Sequence, residues 1–194
     1  LAACVLAGVI FASVPAMAAT VSWIGGNGSD WGTASNWNTV SVPTSADFAN
    51  FIGNEGAYVN DAQTVSRVNI GGLDSGDSFL TINSTGSLTL GSGQIFRQVW
   101  GAANSANSTV TVNGGSLTAD RFQMNNQNAV TGANAYIYVL NGGTMLANED
   151  LNGSDSDGVG RYVTVDGSGS TITVVEETLL NGTSPATLTI SNGG

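Results

Sequence analysis

Fourteen carboxylates and four arginines make up most of the chemical inventory of this 194-residue chain. It has no histidine, no lysine and one cysteine, Cys4. Without His or Lys there is no base to activate a Ser or Thr, so no nucleophile–base constellation can be assembled. Carboxylate pairs alone can act as acid and base on glycosidic bonds. Here the carboxylates fall at irregular corners, and their spacing sets no pair at a catalytic separation. The sequence therefore reads as non-enzymatic. Its net charge of −10 repels phosphate backbones and excludes nucleic acid as a partner. Divalent cations are the electrostatically plausible ligands.

The local cation candidate is Asn152-Gly153-Ser154-Asp155-Ser156-Asp157-Gly158. Asn152, Asp155 and Asp157 could offer alternating oxygens to Ca²⁺, and Gly158 ends the run as in a calcium loop. The first acidic position is missing, since Gly153 stands there, and no Glu follows at the required distance. A plain polar turn is the simpler reading. Asp120, Glu149/Asp150 and Glu176/Glu177 recur at one kind of corner and could form an acidic ladder. That ladder could bind Ca²⁺, line a polysaccharide cleft, or be a solvated edge paired in part with Arg121. The sequence favours the solvated edge. Trp23, Trp31 and Trp37 could form a carbohydrate-binding platform. They could equally cover the apolar interior of a repeat architecture at its first unit, and the sequence favours that cover. Arg97, Arg121 and Arg161 could anchor acidic sugars, with structural roles the simpler expectation. Thr109-x-Thr111, Thr171-x-Thr173 and Thr187-x-Thr189 suggest ice-binding ranks, but Thr is also an ordinary outward strand residue.

The elements that must position these groups come from a repeat. LTINSTGSLTL (80–90), VTVNGGSLTA (110–119), YVLNGGTMLA (138–147), VTVDGSGSTITV (163–174) and LTISNGG (188–194) are versions of one unit. Anchored on Asn83, Asn113, Asn141, Asp166 and Asn192, the steps are 30, 28, 25 and 26 residues. Periods of this size mean stacked repeats. Leu80/Ile82, Val110/Val112, Ile137/Val139, Val163/Val165 and Leu188/Ile190 should fall on one face, and Thr81, Thr111, Thr164 and Thr189 on the other. A second run follows each turn, as in Leu88/Leu90 and Leu117/Ala119. A third, weaker segment begins near Ile95, Arg121, Glu149 and Thr178. An Asn-Gly turn between alternating runs also signals an antiparallel hairpin. The third segment and the like-over-like residues favour a coil of three short strands. The expected fold is all-β, a parallel β-helix with an N-terminal capping region.

Residues 1–18 are apolar, uncharged and end Ala16-Met17-Ala18, which reads as a signal peptide cleaved after Ala18. A transmembrane anchor is disfavoured by Pro15 and the small residues. Leu1-Ala2-Ala3-Cys4 matches a lipobox in letters but precedes most of the apolar stretch. Residues 19–78 then form a Trp/Gly-rich capping region, and residues 79–194 carry the β-helix repeats. The expected location is secreted or cell-surface.

Trp23-Ile24-Gly25-Gly26-Asn27-Gly28, Asp30-Trp31, Asn36-Trp37, Val42-Pro43 and Asp47 resemble the opening of exported bacterial β-helix proteins. NGGSLTA (113–119) and NGGTMLA (141–147) resemble the autotransporter-associated β-strand repeat. Together they resemble large surface proteins of autotransporter or PEP-CTERM type. The resemblance implies a right-handed parallel β-helix passenger exported to the cell surface, with an adhesin-like or structural role and no cofactor beyond possible Ca²⁺. Polysaccharides or cell-surface glycans are the partners it suggests. The membrane would be reached only through a C-terminal anchor or barrel outside this sequence, which reads as an N-terminal fragment. Two other functions compete: a carbohydrate-active β-helix enzyme and a carbohydrate-binding module.

Overall fold

Strict alternation of apolar and Thr residues makes one face of each strand buried and the other wet. The computed structural model describes residues 18–71, 76–99, 106–124, 132–153, 159–180 and 184–194. The signal-peptide and lipobox readings therefore fall almost wholly outside the described residues. The described residues open with β1 (Thr20–Ser22), β2 (Ser29–Asp30) and a 3-10 turn at Ala34–Asn36. Complete three-strand turns then follow. The first is β3 (Phe48–Phe51), β4 (Gly56–Val59) and β5 (Ala62–Val65); the second is β6 (Arg67–Ile70), β7 (Ser78–Ile82) and β8 (Ser87–Leu90). The third is β9 (Ile95–Gln98), β10 (Ser108–Asn113) and β11 (Ser116–Ala119); the fourth is β12 (Arg121–Met124), β13 (Asn134–Leu140) and β14 (Thr144–Ala147). The fifth is β15 (Leu151–Asn152), β16 (Gly160–Asp166) and β17 (Thr171–Val174), after which come β18 (Thr178–Leu179) and β19 (Ala186–Ser191).

Equivalent strands stack into three sheets. The first runs β1-β3-β6-β9-β12-β15-β18, the second β2-β4-β7-β10-β13-β16-β19, the third β5-β8-β11-β14-β17. Every strand pairing among the described residues is parallel. The chain is therefore a β-solenoid of about five turns, and the Asn-Gly turns join strands of different sheets, not hairpin partners. The weak third segments are the strands β9, β12, β15 and β18 of the first sheet. The sheets also run across residue 79 without a break, because β7 pairs with both β4 and β10. Coils thus begin well before the readable repeat.

Leu80, Ile82, Val110, Val112, Ile137, Val139, Val163 and Val165 all lie inside, at 5% exposure or less. Each such side chain contributes about 1.5–3 kcal/mol when fully buried. Leu188 and Ile190 occupy the same repeat positions but are 55% and 63% exposed. Their strand, β19, pairs on one side only, with β16.

The NGG turn has a physical reason at each glycine. Gly114 sits at φ +76°, where a Cβ is strained, and Gly115 is pressed against the preceding coil. A Cβ on Gly115 would lie 2.7 Å from the Gly86 carbonyl oxygen and 2.7 Å from Ile82 Cγ2. The asparagines beside these turns form an amide ladder. Asn60 Nδ2 donates to Asp30 at 2.8 Å, Asn83 Nδ2 to Asn60 at 2.6 Å, and Asn141 Nδ2 to Asn113 at 2.7 Å. Each donates to the coil before it, so the column has one polarity. Asp166 takes Asn192 Nδ2 at 2.6 Å but, ionised, can donate nothing downward.

Candidate functional site

The three N-terminal indoles are core residues. Trp23 is 2% exposed, and Trp31 and Trp37 are 0% exposed. Trp37 packs edge-on against Trp23 at 4.9 Å and against Trp31 at 4.8 Å, and all three rings meet Phe51 within 5.7 Å. Trp37 Nε1 donates to the Trp31 carbonyl at 2.9 Å. Sugar stacking needs an open ring face, and these rings present none. Of the two readings of Trp23, Trp31 and Trp37, carbohydrate platform or core cover, the burial fits the second: they form an aromatic cluster at the N-terminal end of the core.

Asn152 lies on β15, half-buried, between Gln123 and Leu179 on the neighbouring strands. Asp155 and Asp157, its partners in the expected cation loop, lie outside the described residues. The acidic corner does assemble. The Glu149 N–H donates to the Asp120 carbonyl at 2.8 Å and the Glu176 N–H to the Glu149 carbonyl at 3.1 Å, which stacks the three. Their side chains find local partners. Asp120 accepts from the Gly93 N–H and from Asn148 Nδ2 at 2.9 Å, and Glu149 pairs with Arg121. That Glu149 contact holds the Arg121 guanidinium above its ordinary pKa. Among the described residues, no group of three or more acidic, His or Cys side chains is placed to hold a metal ion.

The four arginines divide in two. Arg161 points inward from β16 at 0% exposure, donates from Nε to the Met124 carbonyl at 3.2 Å, and packs on Gly153. It is no surface anchor. Arg67, Arg97 and Arg121 instead lie on the outward side of the first sheet, on β6, β9 and β12. Arg67 rests over the Phe48 ring at 4.6 Å, and its Nε is buried with no hydrogen-bond partner. Arg97 Nε donates to Gln123 Oε1 at 3.2 Å. Burial first, then the like charge of Arg67, hold Arg97 below its ordinary pKa. Beside the arginines runs an amide column in which Asn50 pairs with Asn69, Asn69 with Arg97, Arg97 with Gln123, and Gln123 with Asn152.

The second sheet carries an aromatic surface that the sequence did not announce. Register sets Phe79, Thr109, Tyr136, Tyr162 and Thr187 in one outward column, and Tyr58, Thr81, Thr111, Tyr138, Thr164 and Thr189 in the next. Tyr136 stacks on Tyr162 at 5.0 Å and lies parallel to Tyr138 at 6.2 Å. Burial and these neighbours raise the Tyr136 phenol above its ordinary pKa. The rings interrupt both Thr columns of this sheet; on the third sheet Thr64, Thr89, Thr118 and Thr173 share an outward column that Leu146 interrupts.

At the other end of the core, Leu151, Val163, Val165, Ile172, Leu188 and Ile190 line a cavity of about 410 Å³. It is mainly apolar and is bounded by the last strand of each sheet. Comparisons of the chain with protein-family models, with curated proteins and with solved structures find no match.

Proposed function

We propose that this chain belongs to an exported cell-surface β-helix and acts as a non-enzymatic scaffold, adhesin-like or structural. The observation that carries the reading is the uninterrupted register of three parallel sheets, which makes one stiff body with long, repetitive outer faces. Such a body suits extended display, where many weak contacts along a face add up. Right-handed winding is expected from the general preference of parallel crossovers. The indole cluster at the first turn would serve as a cap that keeps the apolar interior from water. The apolar segment 1–18 supports export, and glycans are the partners the polar faces suit best. The reading requires no cofactor.

Deleting the gene in its host and measuring surface attachment and biofilm tests the role. Reduced attachment, restored by the intact gene, is the expected result. Unchanged attachment on every surface tried sinks the adhesive reading. Release of reducing ends or unsaturated sugars from a polysaccharide by the purified protein sinks the non-enzymatic one.

A further inference from the structure

We propose that the outward face of the first sheet, around Arg67 and Arg97, binds the carboxylate groups of an acidic polysaccharide, a polyuronate. Three of the four arginines in a chain of net charge −10 stand on this one face. Nothing in the repeat demands that. The equivalent outward positions elsewhere in the sheet are uncharged: Thr20, Ser22, Phe48, Asn50, Asn69, Ile95, Gln123, Asn152 and Leu179.

Arg67 and Arg97 come from adjacent strands, which lie about 4.8 Å apart. They are diagonal neighbours, and each raises the electrostatic cost of the other. A carboxylate bound beside Arg67 offsets part of that cost. Arg67 has no ion pair among the described residues; its guanidinium is held over Phe48. A planar fork already fixed on a ring is ready to take a carboxylate in two parallel hydrogen bonds. Gln123, half-buried on the outward face, accepts from Arg97 Nε and keeps an amide N–H₂ donor for a sugar hydroxyl, which a simple anion site would not need.

Arg121 contributes differently, because Glu149 neutralises it. The carboxylates Asp150 and Glu177 lie beyond it on the same edge. They stand three strands or more from Arg67, about 14 Å at the usual strand spacing. That exceeds the screening length of about 8 Å at physiological ionic strength; the nearer carboxylate, Asp47, precedes the register partner of Arg67 and is engaged by the Thr44 hydroxyl and N–H.

The proposal deepens the adhesive reading by naming a ligand class. Binding by purified protein is measured apart from attachment of cells, so failure of either can be told from failure of the other. The probe is polygalacturonate at physiological ionic strength, with its fully methyl-esterified form and inorganic polyphosphate as arms. The expected result is retention by the free acid, at least tenfold weaker retention by the ester, and at least tenfold weaker retention by polyphosphate. Arg67→Gln with Arg97→Gln should abolish binding, while Arg121→Gln should change it less than twofold. If the double variant does not fold, dicarbonyl modification of the native protein gives the same answer. Saturating polygalacturonate should then protect Arg67 and Arg97, and leave Arg121 reactive. Equal binding to acid and ester, equal binding to polyphosphate, no binding at all, or no protection of Arg67 and Arg97 overturns the proposal.

Discussion

Replacing Gly115 by alanine should injure this solenoid more than its size suggests. The new Cβ would sit 2.7 Å from the Gly86 carbonyl oxygen and from Ile82 Cγ2, at least 0.7 Å inside ordinary contact. The Gly86 oxygen cannot turn away freely, because it accepts the Ser116 N–H at 3.2 Å. Relief therefore requires coils three and two to separate locally, which weakens that bond and the start of the β8–β11 ladder. Overpacking typically costs about 1–3 kcal/mol, and a clash against backbone on this scale belongs at about 3. For a chain of this length the loss corresponds to a fall in Tm of roughly 6–12 °C. Gly91→Ala is the matched control. Gly91 has no positive φ, and its Cβ would meet only Gln94 Cγ at 3.6 Å, an ordinary contact. There alanine should be neutral or stabilising by about 0.4–1 kcal/mol, since it restricts the unfolded chain. Thermal unfolding of both variants, followed by far-UV circular dichroism, reads the difference. Equal Tm values for Gly115→Ala and Gly91→Ala would refute the close-approach explanation of the NGG turn.

Leu80→Ala should cost about 2–5 kcal/mol in urea unfolding, whereas Leu188→Ala should cost well under half of that, because only Leu80 has coils on both sides. Acid should destabilise the fold from about pH 4 downward, near the ordinary Asp value. Asp47 is held below that value chiefly by the Thr44 hydroxyl and then its N–H, and Asp166 by the Ser191 hydroxyl and then the Asn192 amide. The unfolded chain binds protons at these sites first, so their contribution is present above the unfolded pKa and is lost as pH falls through the folded one. The Tm difference between pH 7 and pH 3 should shrink in Asp47→Asn; an unaltered difference contradicts the assignment. In a Trp100→Phe background, iodide should leave the remaining indole emission nearly unquenched, and soluble glycans should not shift it. Strong quenching is incompatible with buried Trp23, Trp31 and Trp37.

The coil was legible wherever the chain spelled out both its alternation and its turn. Val110-Thr-Val112 followed by Asn113-Gly-Gly gave strand, corner and next strand in one reading. The same coil was invisible in residues 48–70, since Phe48–Phe51, Gly56–Val59 and Arg67–Ile70 make equivalent strands with no NGG between them. Asn-Gly could not by itself separate hairpin from coil, because both need the same backbone at the turn. Only the pairing of each strand with its counterpart one coil away decides between them. Sites were harder to see for a related reason. Arg67 and Arg97 are 30 residues apart, and register alone sets them on neighbouring strands. The tyrosines show the same effect: Tyr162 meets Tyr136 because β16 pairs with β13 residue for residue. For the tryptophans, residue type allowed both a binding platform and a buried cluster. Contact with Phe51 from β3 is what places them inside.

Export to the cell surface is the claim on which the scaffold role depends. Intact host cells can be labelled with an antibody raised against residues 19–194, with permeabilised cells as the control. A surface scaffold predicts full labelling of intact cells, lost when residues 1–18 are deleted. Labelling that appears only after permeabilisation contradicts it.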